Sequence, residues 1–187
     1  MKIIKNRPAA LLTTAILLLI ISISCDGGIE PYPEPLDPGL TGFSGLITFT
    51  GDWPEGVTRT HLVVFENTIN SYADFFPPNM SFIVDPVPYG ATEFEYNSND
   101  NNYENLFEIE PGTYRYIVVA QSSTKEISLS RSDWVVVGIY YNEGDNSTPG
   151  SMTIEEGKIT ADINIVCDFN NPPLQPPSES SQMEPVQ

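Results

Sequence analysis

Short stretches of alternating apolar and polar residues are the main pattern along this chain. In 158–169, for example, Ile163, Ile165 and Cys167 share one parity and would face the same side of a strand. No helical period of useful length follows residue 25, and turn signals recur at intervals of about 8 to 12 residues. We therefore predict strands over 43–50, 58–66, 91–96, 103–110, 114–121, 133–141, 151–155 and 158–169.

Two of the predicted strands carry apolar side chains on both faces. Leu62 and Val63 lie on opposite faces of 58–66, and 114–121 contains three consecutive β-branched residues at its centre. Burial on both faces is typical of interior strands. Many short strands separated by turns indicate two packed layers. We predict an all-β domain over 42–169, a single antiparallel β-sandwich of about seven strands.

A long connection, 67–90, separates two of the predicted strands and is rich in proline and aromatic residues. Pro77, Pro78, Pro86 and Pro88 lack the backbone N–H that an interior strand donates to its neighbours. We therefore expect no central strand in this connection. Its aromatic side chains are predicted to cover an open edge of the sandwich.

A different pattern occupies the first 25 residues. Three basic residues precede an apolar run, 9–23, which ends in small residues before Cys25. This is the layout of an export signal, and we predict a helical signal peptide over 1–24. The run is short for the about 20 apolar residues with which a helix spans a bilayer. Secretion of a soluble protein and a retained membrane anchor stay open as alternatives.

The end of the apolar run resembles the lipobox of bacterial lipoproteins. Ile23, Ser24 and Cys25 match its last three positions, whereas Ser22 stands where the family usually has leucine. In that family the cysteine is acylated, so the resemblance implies a lipidated Cys25 that anchors the protein in the bacterial cell envelope. Asp26 resembles an inner-membrane retention signal, but that rule varies between phyla. The inner and the outer membrane both stay open.

Proline-rich segments flank the predicted domain on both sides. Residues 26–39 alternate proline with other residues, which favours an extended backbone over a helix. We predict that 25–41 is a lipid-bearing cysteine followed by a tether. From residue 170 onward proline, serine, glutamine and glutamate dominate without any apolar period. We predict that this tail, 170–187, is disordered.

Two motifs within the predicted domain carry a further resemblance. One runs from Gly45 to Val57 and reads GLITFTGDWPEGV, and the other, Ile109 to Tyr114, reads IEPGTY. Together they are similar to carboxypeptidase-regulatory-like domains, which are transthyretin-like β-sandwiches. The resemblance implies that fold and a non-catalytic role on an exported bacterial protein, and it indicates no ligand.

The chain is strongly acidic, with 25 Asp and Glu residues, 8 Lys and Arg residues and a formal charge of −17. Loss of the predicted signal would remove Lys2, Lys5 and Arg7, which leaves five basic residues and a charge of −20. Such a charge opposes binding to nucleic acid, so we predict none. The expected partners are the membrane, through the N-terminal lipid, and an unidentified protein or glycan of the envelope.

Few residues have the character that catalysis requires. The single histidine, His61, falls within the predicted strand 58–66, and Cys167 alternates with apolar residues, as a small buried hydrophobe would. General acid–base catalysis needs a titratable group near the working pH beside a partner, and no motif surrounds either residue. We therefore predict a non-enzymatic structural or interaction module.

Two loops rich in Asn and Asp, 97–102 and 142–146, offer oxygen ligands of the kind that Ca²⁺ prefers. The candidate ligands are Asp100, Asn102 and Asp145. Neither loop has the ligand spacing of an EF-hand, and Asn and Asp are also frequent in turns for backbone reasons. A calcium site is a hypothesis on these residues, and we predict no other cofactor.

Aromatic side chains in loops suggest an alternative function, that of a glycan-binding protein, because β-sandwiches often present such rings to sugars. The competing interpretation is that the rings cover hydrophobic edges of the domain. The candidate glycan-binding residues are Tyr72, Phe75, Phe76, Tyr89, Tyr140 and Tyr141.

Overall fold

The computed structural model describes residues 39–84, 86–100 and 108–182 of the 187-residue chain. These parts are mainly β-structure, which confirms the predicted class, and their helical segments are short 3₁₀ turns at 72–75, 131–133 and 179–182. None of their helices has the length and apolar character needed to cross a bilayer. The strands are β1 (Gly42–Thr50), β2 (Arg59–Phe65), β3 (Met80–Val84), β4 (Glu93–Asn97), β5 (Gly112–Tyr114), β6 (Tyr116–Ser122), β7 (Val135–Ile139), β8 (Met152–Ile154), β9 (Ile159–Thr160) and β10 (Ile165–Asp168).

Several predictions fall on residues outside the described parts. They are the signal peptide 1–24, the lipidated Cys25, most of the tether, and most of the predicted strand 103–110. These stay predictions of the sequence.

The strands form one large mixed sheet and one small one. The order in the large sheet is β3-β2-β6-β7-β10-β1-β4, with β9 also paired to β1, and β5 pairs with β8 in the small sheet. β1 is parallel to both β9 and β10, and it places Ile47 beside Ile165. The prediction of a purely antiparallel sandwich was therefore wrong. The parallel partners of β1 are more than 100 residues away in sequence, so no local pattern reports their direction.

The large sheet curls, so that one face encloses the main core of the domain. Phe43 of β1 and Phe82 of β3 lie near opposite ends of the strand order, yet their ring centroids are 5.4 Å apart in an edge-to-face contact. The small sheet adds Tyr114 and Met152 to the same core. Burial of aromatic and aliphatic side chains on this inner face is the main stabilising contribution to the fold.

A second core lies on the outer face of β2, β6 and β7. Its buried residues include Val63, Phe65, Val118 and Val136. Phe75, from the 3₁₀ turn 72–75, packs on Phe65 with a centroid distance of 5.2 Å and helps to cover this face. The prediction that β2 and β6 are interior strands with two apolar faces is thus confirmed.

A buried arginine ties the outer cover together. Arg131 is only 2% exposed, and its guanidinium carbon lies 4.5 Å from the centre of the Phe75 ring. Its Nη1 donates to the Trp134 carbonyl, and its Nη2 donates to the Pro176 carbonyl at 3.3 Å. A buried charge is costly unless its hydrogen bonds are made. These contacts therefore hold three separate segments of the chain against the second core.

Within the tail predicted to be disordered, 170–187, the described residues 170–182 pack against the domain. The Gln175 side chain accepts a hydrogen bond from the Val136 backbone N–H and donates one to the Val136 carbonyl, both at 2.8 Å. Glu179 accepts a hydrogen bond from the Arg131 backbone N–H at 2.7 Å. The composition suggested disorder because the segment has little apolar surface. Specific hydrogen bonds to distant backbone groups order residues 170–182 instead.

The Ile109–Tyr114 motif forms a locked turn into β5. The Tyr114 hydroxyl donates to the Glu110 carbonyl at 2.8 Å, four residues back in the chain. This is the geometry of a tyrosine corner, in which a tyrosine fixes the turn that precedes its strand. The chain bends at Pro111, and Gly112 is already the first residue of β5.

The long connection 67–90 contains β3 (Met80–Val84), a strand that the sequence analysis did not predict. β3 lies at one edge of the large sheet and pairs only with β2 along the strand order. Pro78 and Pro86 lie just outside its two ends. An edge strand tolerates such neighbours because only one side of it needs hydrogen-bonding partners.

The close contact between β7 and β10 yields a stability prediction. Gly138 lies opposite Cys167, and a Cβ atom at Gly138 would lie 2.5 Å from Cys167 Sγ and 3.2 Å from the Val166 carbonyl oxygen. We expect Gly138→Ala to lower the free energy of unfolding by about 1–3 kcal/mol through overpacking. The measurement is the shift of the urea unfolding midpoint.

Gly112→Ala is the matched control, because a Cβ atom there would meet nothing closer than 3.9 Å. That substitution is expected to leave stability unchanged or to raise it by up to about 1 kcal/mol. Equal unfolding midpoints for the two variants would contradict the packing argument.

Candidate functional site

A row of two polar side chains and one exposed apolar side chain lies along the outer face of the sheet at β10. Inward-facing Ile165 and Cys167 are buried in the main core, so Asn164, Val166 and Asp168 point to the opposite face. Val166 is 63% exposed. The alternation of β10 therefore places an amide, an apolar side chain and a carboxylate side by side on the surface.

The neighbouring end of β7 and the loop after it form one wall beside this row. Ile139 ends β7, and Tyr141 follows it within an isolated bridge to Pro149. Asn146 lies in the exposed loop between these two partners of the bridge. Gly138 permits the close approach of β7 and β10 that brings the two sets of side chains together.

The second wall comes from the segment after β10. The chain turns at 168–171, where the Asn171 N–H donates to the Asp168 carbonyl at 3.1 Å. Asn171, Pro172 and Pro173 then pass over the outer face of the sheet. The result is a groove of about 440 Å³, which we call the β7–β10 groove. Its polar and aromatic side chains are Tyr141, Asn146, Asn164, Asp168 and Asn171.

The groove is suited to hydrogen bonding with a neutral ligand. Asn side chains both donate and accept, a carboxylate accepts, and a phenol does either. Asn164 is held in place because its Oδ1 accepts a hydrogen bond from the Leu46 N–H at 2.9 Å. Its Nδ2 group is not used in that bond. Val166 and Ile139 supply the apolar part of the lining.

The predicted glycan-binding aromatic residues do not come together. Only Tyr141 lines the β7–β10 groove, whereas Tyr140, next in sequence, packs against the main core. Phe75 is buried in the second core, so its ring offers no free face to a sugar. Phe76 lies beside it at the rim of a small apolar pocket.

Tyr72 and Tyr89 are exposed and lie away from the groove. Tyr89 contacts the edge of Trp53, with ring centroids 5.2 Å apart, and its hydroxyl lies 3.4 Å from the Pro54 carbonyl oxygen. It therefore covers the Trp53 side chain, as the interpretation of these rings as hydrophobic cover expects.

The predicted calcium ligands lie in different loops. Asp100 belongs to a turn in which its N–H donates to the Asn97 carbonyl at 2.9 Å, and Asn102 lies outside the described residues. Asp145 Oδ1 accepts three hydrogen bonds, from the N–H and hydroxyl of Ser147 at 2.8 and 2.7 Å and from the Thr148 N–H at 3.2 Å. Within 39–84, 86–100 and 108–182, no group of three His, Cys, Asp or Glu side chains has a geometry that could hold a metal ion.

The two residues considered for catalysis are both buried. His61 is fully buried, and its ring meets the edge of Trp134 with centroids 5.3 Å apart. Burial raises the pKa of the Cys167 thiol well above its usual value, so the thiol is not available as a thiolate. Cys167 belongs to the main core, and His61 lies against Trp134 of the second core.

The sequence analysis did not single out Asn164, Asp168 and Asn171. For the first two a signal was present, because the inward parity of Ile165 and Cys167 assigns their neighbours to the outer face. For Asn171 there was none, since its position depends on a turn and on contacts distant in sequence.

Comparisons with protein-family models, with curated protein sequences and with solved structures each found no match to this chain.

The hydrogen bonds of Asp145 give a pH prediction. The Ser147 and Thr148 donors lower the pKa of the Asp145 carboxyl from its ordinary 3.8 to about 2. Because the folded pKa is the lower one, these bonds stabilise the loop above about pH 4 and are lost as the pH falls toward 2. We expect the Ser147 amide signal in an NMR titration to move with a midpoint near pH 2. Asp145→Asn should abolish the movement, and a midpoint near pH 4 would contradict the assignment.

Proposed function

We propose that this protein is a lipid-anchored lipoprotein of the bacterial envelope whose β-domain is a non-catalytic binding module. We further propose that its ligand is a neutral saccharide bound in the β7–β10 groove. The single observation that carries the proposal is the convergence of three asparagine side chains, one carboxylate and one tyrosine on one open face.

The chemistry of the groove supports a saccharide. A sugar ring offers hydroxyl groups that donate and accept hydrogen bonds, and it has apolar C–H faces. Asn146, Asn164 and Asn171 match the hydroxyl groups, while Val166 and Tyr141 offer apolar contact. Asp168 and the net charge of the chain oppose anionic sugars.

The size of the groove favours a small ligand over a protein partner. Small-molecule sites have volumes of about 300–1,000 Å³, and the volume of this open groove is about 440 Å³. A stable protein interface instead buries about 800 Å² on each partner. The proposal belongs to the broader class of non-catalytic interaction modules of the envelope.

The anchoring part of the proposal is supported by the sequence. A basic N-terminus, an apolar run and Ser24 before Cys25 resemble the lipoprotein signal. The proline-rich residues that follow would separate the domain from the bilayer. The net negative charge of the chain opposes attachment of the domain to anionic lipids, so the acyl chains would supply the attachment.

The resemblance to carboxypeptidase-regulatory-like domains is likewise a proposal. The locked turn between Glu110 and Tyr114 supports it, because it uses the residues of the IEPGTY motif. The parallel pairing of β1 with β10 departs from the antiparallel sandwich that the resemblance implies.

A binding experiment tests the proposed site. Neutral oligosaccharides are titrated into the protein by calorimetry, and Asn164→Asp is compared with the parent protein. This substitution keeps an acceptor for the Leu46 N–H, replaces the Nδ2 donor with an acceptor oxygen and adds a negative charge. We expect the affinity to fall by about tenfold, the effect of one lost hydrogen bond to the ligand.

Asn146 lies in the loop after Tyr141, on the β7 side of the groove. Asn146→Ala is expected to weaken binding by a similar factor. Tyr72→Ala is the control, because this exposed ring lies outside the groove and was itself a candidate glycan platform. If Tyr72→Ala lost binding while the groove variants bound normally, the binding site would lie outside the groove. Absence of binding to every neutral oligosaccharide would reject the saccharide.

A fractionation experiment tests the anchor. In bacterial cells that express the full chain, Cys25→Ala removes the thiol that would be acylated. We expect the variant to leave the membrane fraction, whereas Cys167→Ala, a change of the buried cysteine, should stay with it. Unchanged membrane association of Cys25→Ala would contradict lipidation.

A further inference from the structure

The segment that follows β10 forms one wall of the β7–β10 groove without belonging to the sheet. Cys167 of β10 pairs with Gly138 of β7, and past that point the Phe169 N–H donates to the Thr50 carbonyl at 3.0 Å. The chain therefore follows β1 and turns away from β7. The N-terminal half of β7 is left without a strand on its β10 side.

A side chain takes the place of the missing strand. The Gln175 amide makes the donor and acceptor pair with the Val136 backbone that a neighbouring strand residue would make. Val136 is fully buried, so its N–H and carbonyl would be costly to leave without partners. The bonds to Gln175 therefore supply the hydrogen-bonding partners that the Val136 backbone of β7 needs.

The same amide also fixes the wall of the groove. Gln175 Nε2 donates a third hydrogen bond, to the Pro173 carbonyl at 3.0 Å. Pro172 and Pro173 are the residues of this segment that lie over the groove together with Asn171. One side chain thus connects the wall directly to the strand beneath it.

We propose that Gln175 is a positioning residue for the β7–β10 groove, and that the segment 171–176 is a wall whose docking is linked to ligand binding. The identity of the ligand in this inference rests on the proposed function, whereas the docking of the segment 171–176 does not. Linkage is reciprocal: a ligand that contacts the docked wall stabilises docking by the same factor by which docking raises its affinity.

The downstream contacts make the segment a strap with two attachments. Beyond Gln175, the Pro176 carbonyl accepts from Arg131, and Glu179 accepts from the Arg131 backbone. Loss of Gln175 alone would therefore free the wall near the groove while the second attachment stays in place. This separation allows the role of Gln175 to be tested without unfolding the domain.

A labelling experiment tests docking without any ligand. A reporter thiol is introduced by Ile139→Cys in the groove lining, where the side chain is only 7% exposed, in a full chain that carries Cys25→Ser. We expect the added substitution Gln175→Ala to raise the labelling rate of this thiol by about tenfold, the effect of one net hydrogen bond. Leu174→Ala is the matched control, because its side chain is 93% exposed, and it should leave the rate unchanged.

Cys167 serves as an internal reporter of global unfolding, because it is buried in the main core and pairs with Gly138, the residue next to the label. If Gln175 only stabilised the domain as a whole, Gln175→Ala would raise labelling at Cys167 as well as at the groove. Selective labelling of the groove thiol supports the proposal. An unchanged rate at the groove, or an equal rise at both thiols, would overturn it.

A second arm measures the linkage with a neutral oligosaccharide that binds the parent protein. We expect Gln175→Ala to weaken its affinity by about tenfold, the labelling effect carried over by linkage, while Leu174→Ala binds normally. Equal affinity for the parent and Gln175→Ala would overturn the linkage. If no oligosaccharide binds the parent, the proposed saccharide function fails, and the labelling arm still decides whether Gln175 positions the wall.

Discussion

The structure depends on one constraint: the central strands β2 and β6 are apolar on both faces. Residues such as Val64 and Val119 belong to the main core, while Val63 and Val118 belong to the second core. A sheet of this kind cannot leave either face in water without exposing a large apolar surface. Each face therefore needs its own cover, and the two covers are built by different means.

The inner face is covered by the sheet itself, which curls until its outer strands meet and the small β5–β8 sheet closes the remaining side. The outer face is covered piecewise by 3₁₀ turns, by the Arg131 side chain and by the segment that follows β10. Where this outer cover thins, over β7 and β10, the segment after β10 contributes Asn171, Pro172 and Pro173 to the part of the cover that the structure describes. The groove is the gap between that segment and the loop after Tyr141, so the proposed binding surface arises from incomplete coverage.

Local pattern was sufficient for most of the strands but not for their arrangement. The alternation around Ile165 predicted one strand over 158–169, but the structure has two shorter ones, β9 and β10, separated by 161–164. The parallel position of β10 beside β1 depends on a partner more than 100 residues away. Tyr141 was found because aromatic residues in loops are conspicuous, whereas Asn164 and Asp168 required the strand parity to be read on its polar side. Gln175 was beyond prediction, because its partners are the backbone atoms of Val136 and a composition poor in apolar residues indicates disorder.

The order of the chain gives the strap a consequence for biogenesis. Residues 171–182 follow all ten strands of the described fold, so a ribosome releases them only after every strand has emerged. Until then the backbone of Val136 lacks the Gln175 amide and the Arg131 guanidinium lacks the Pro176 carbonyl. The outer side of the domain can therefore close completely only when the last part of the described fold is available.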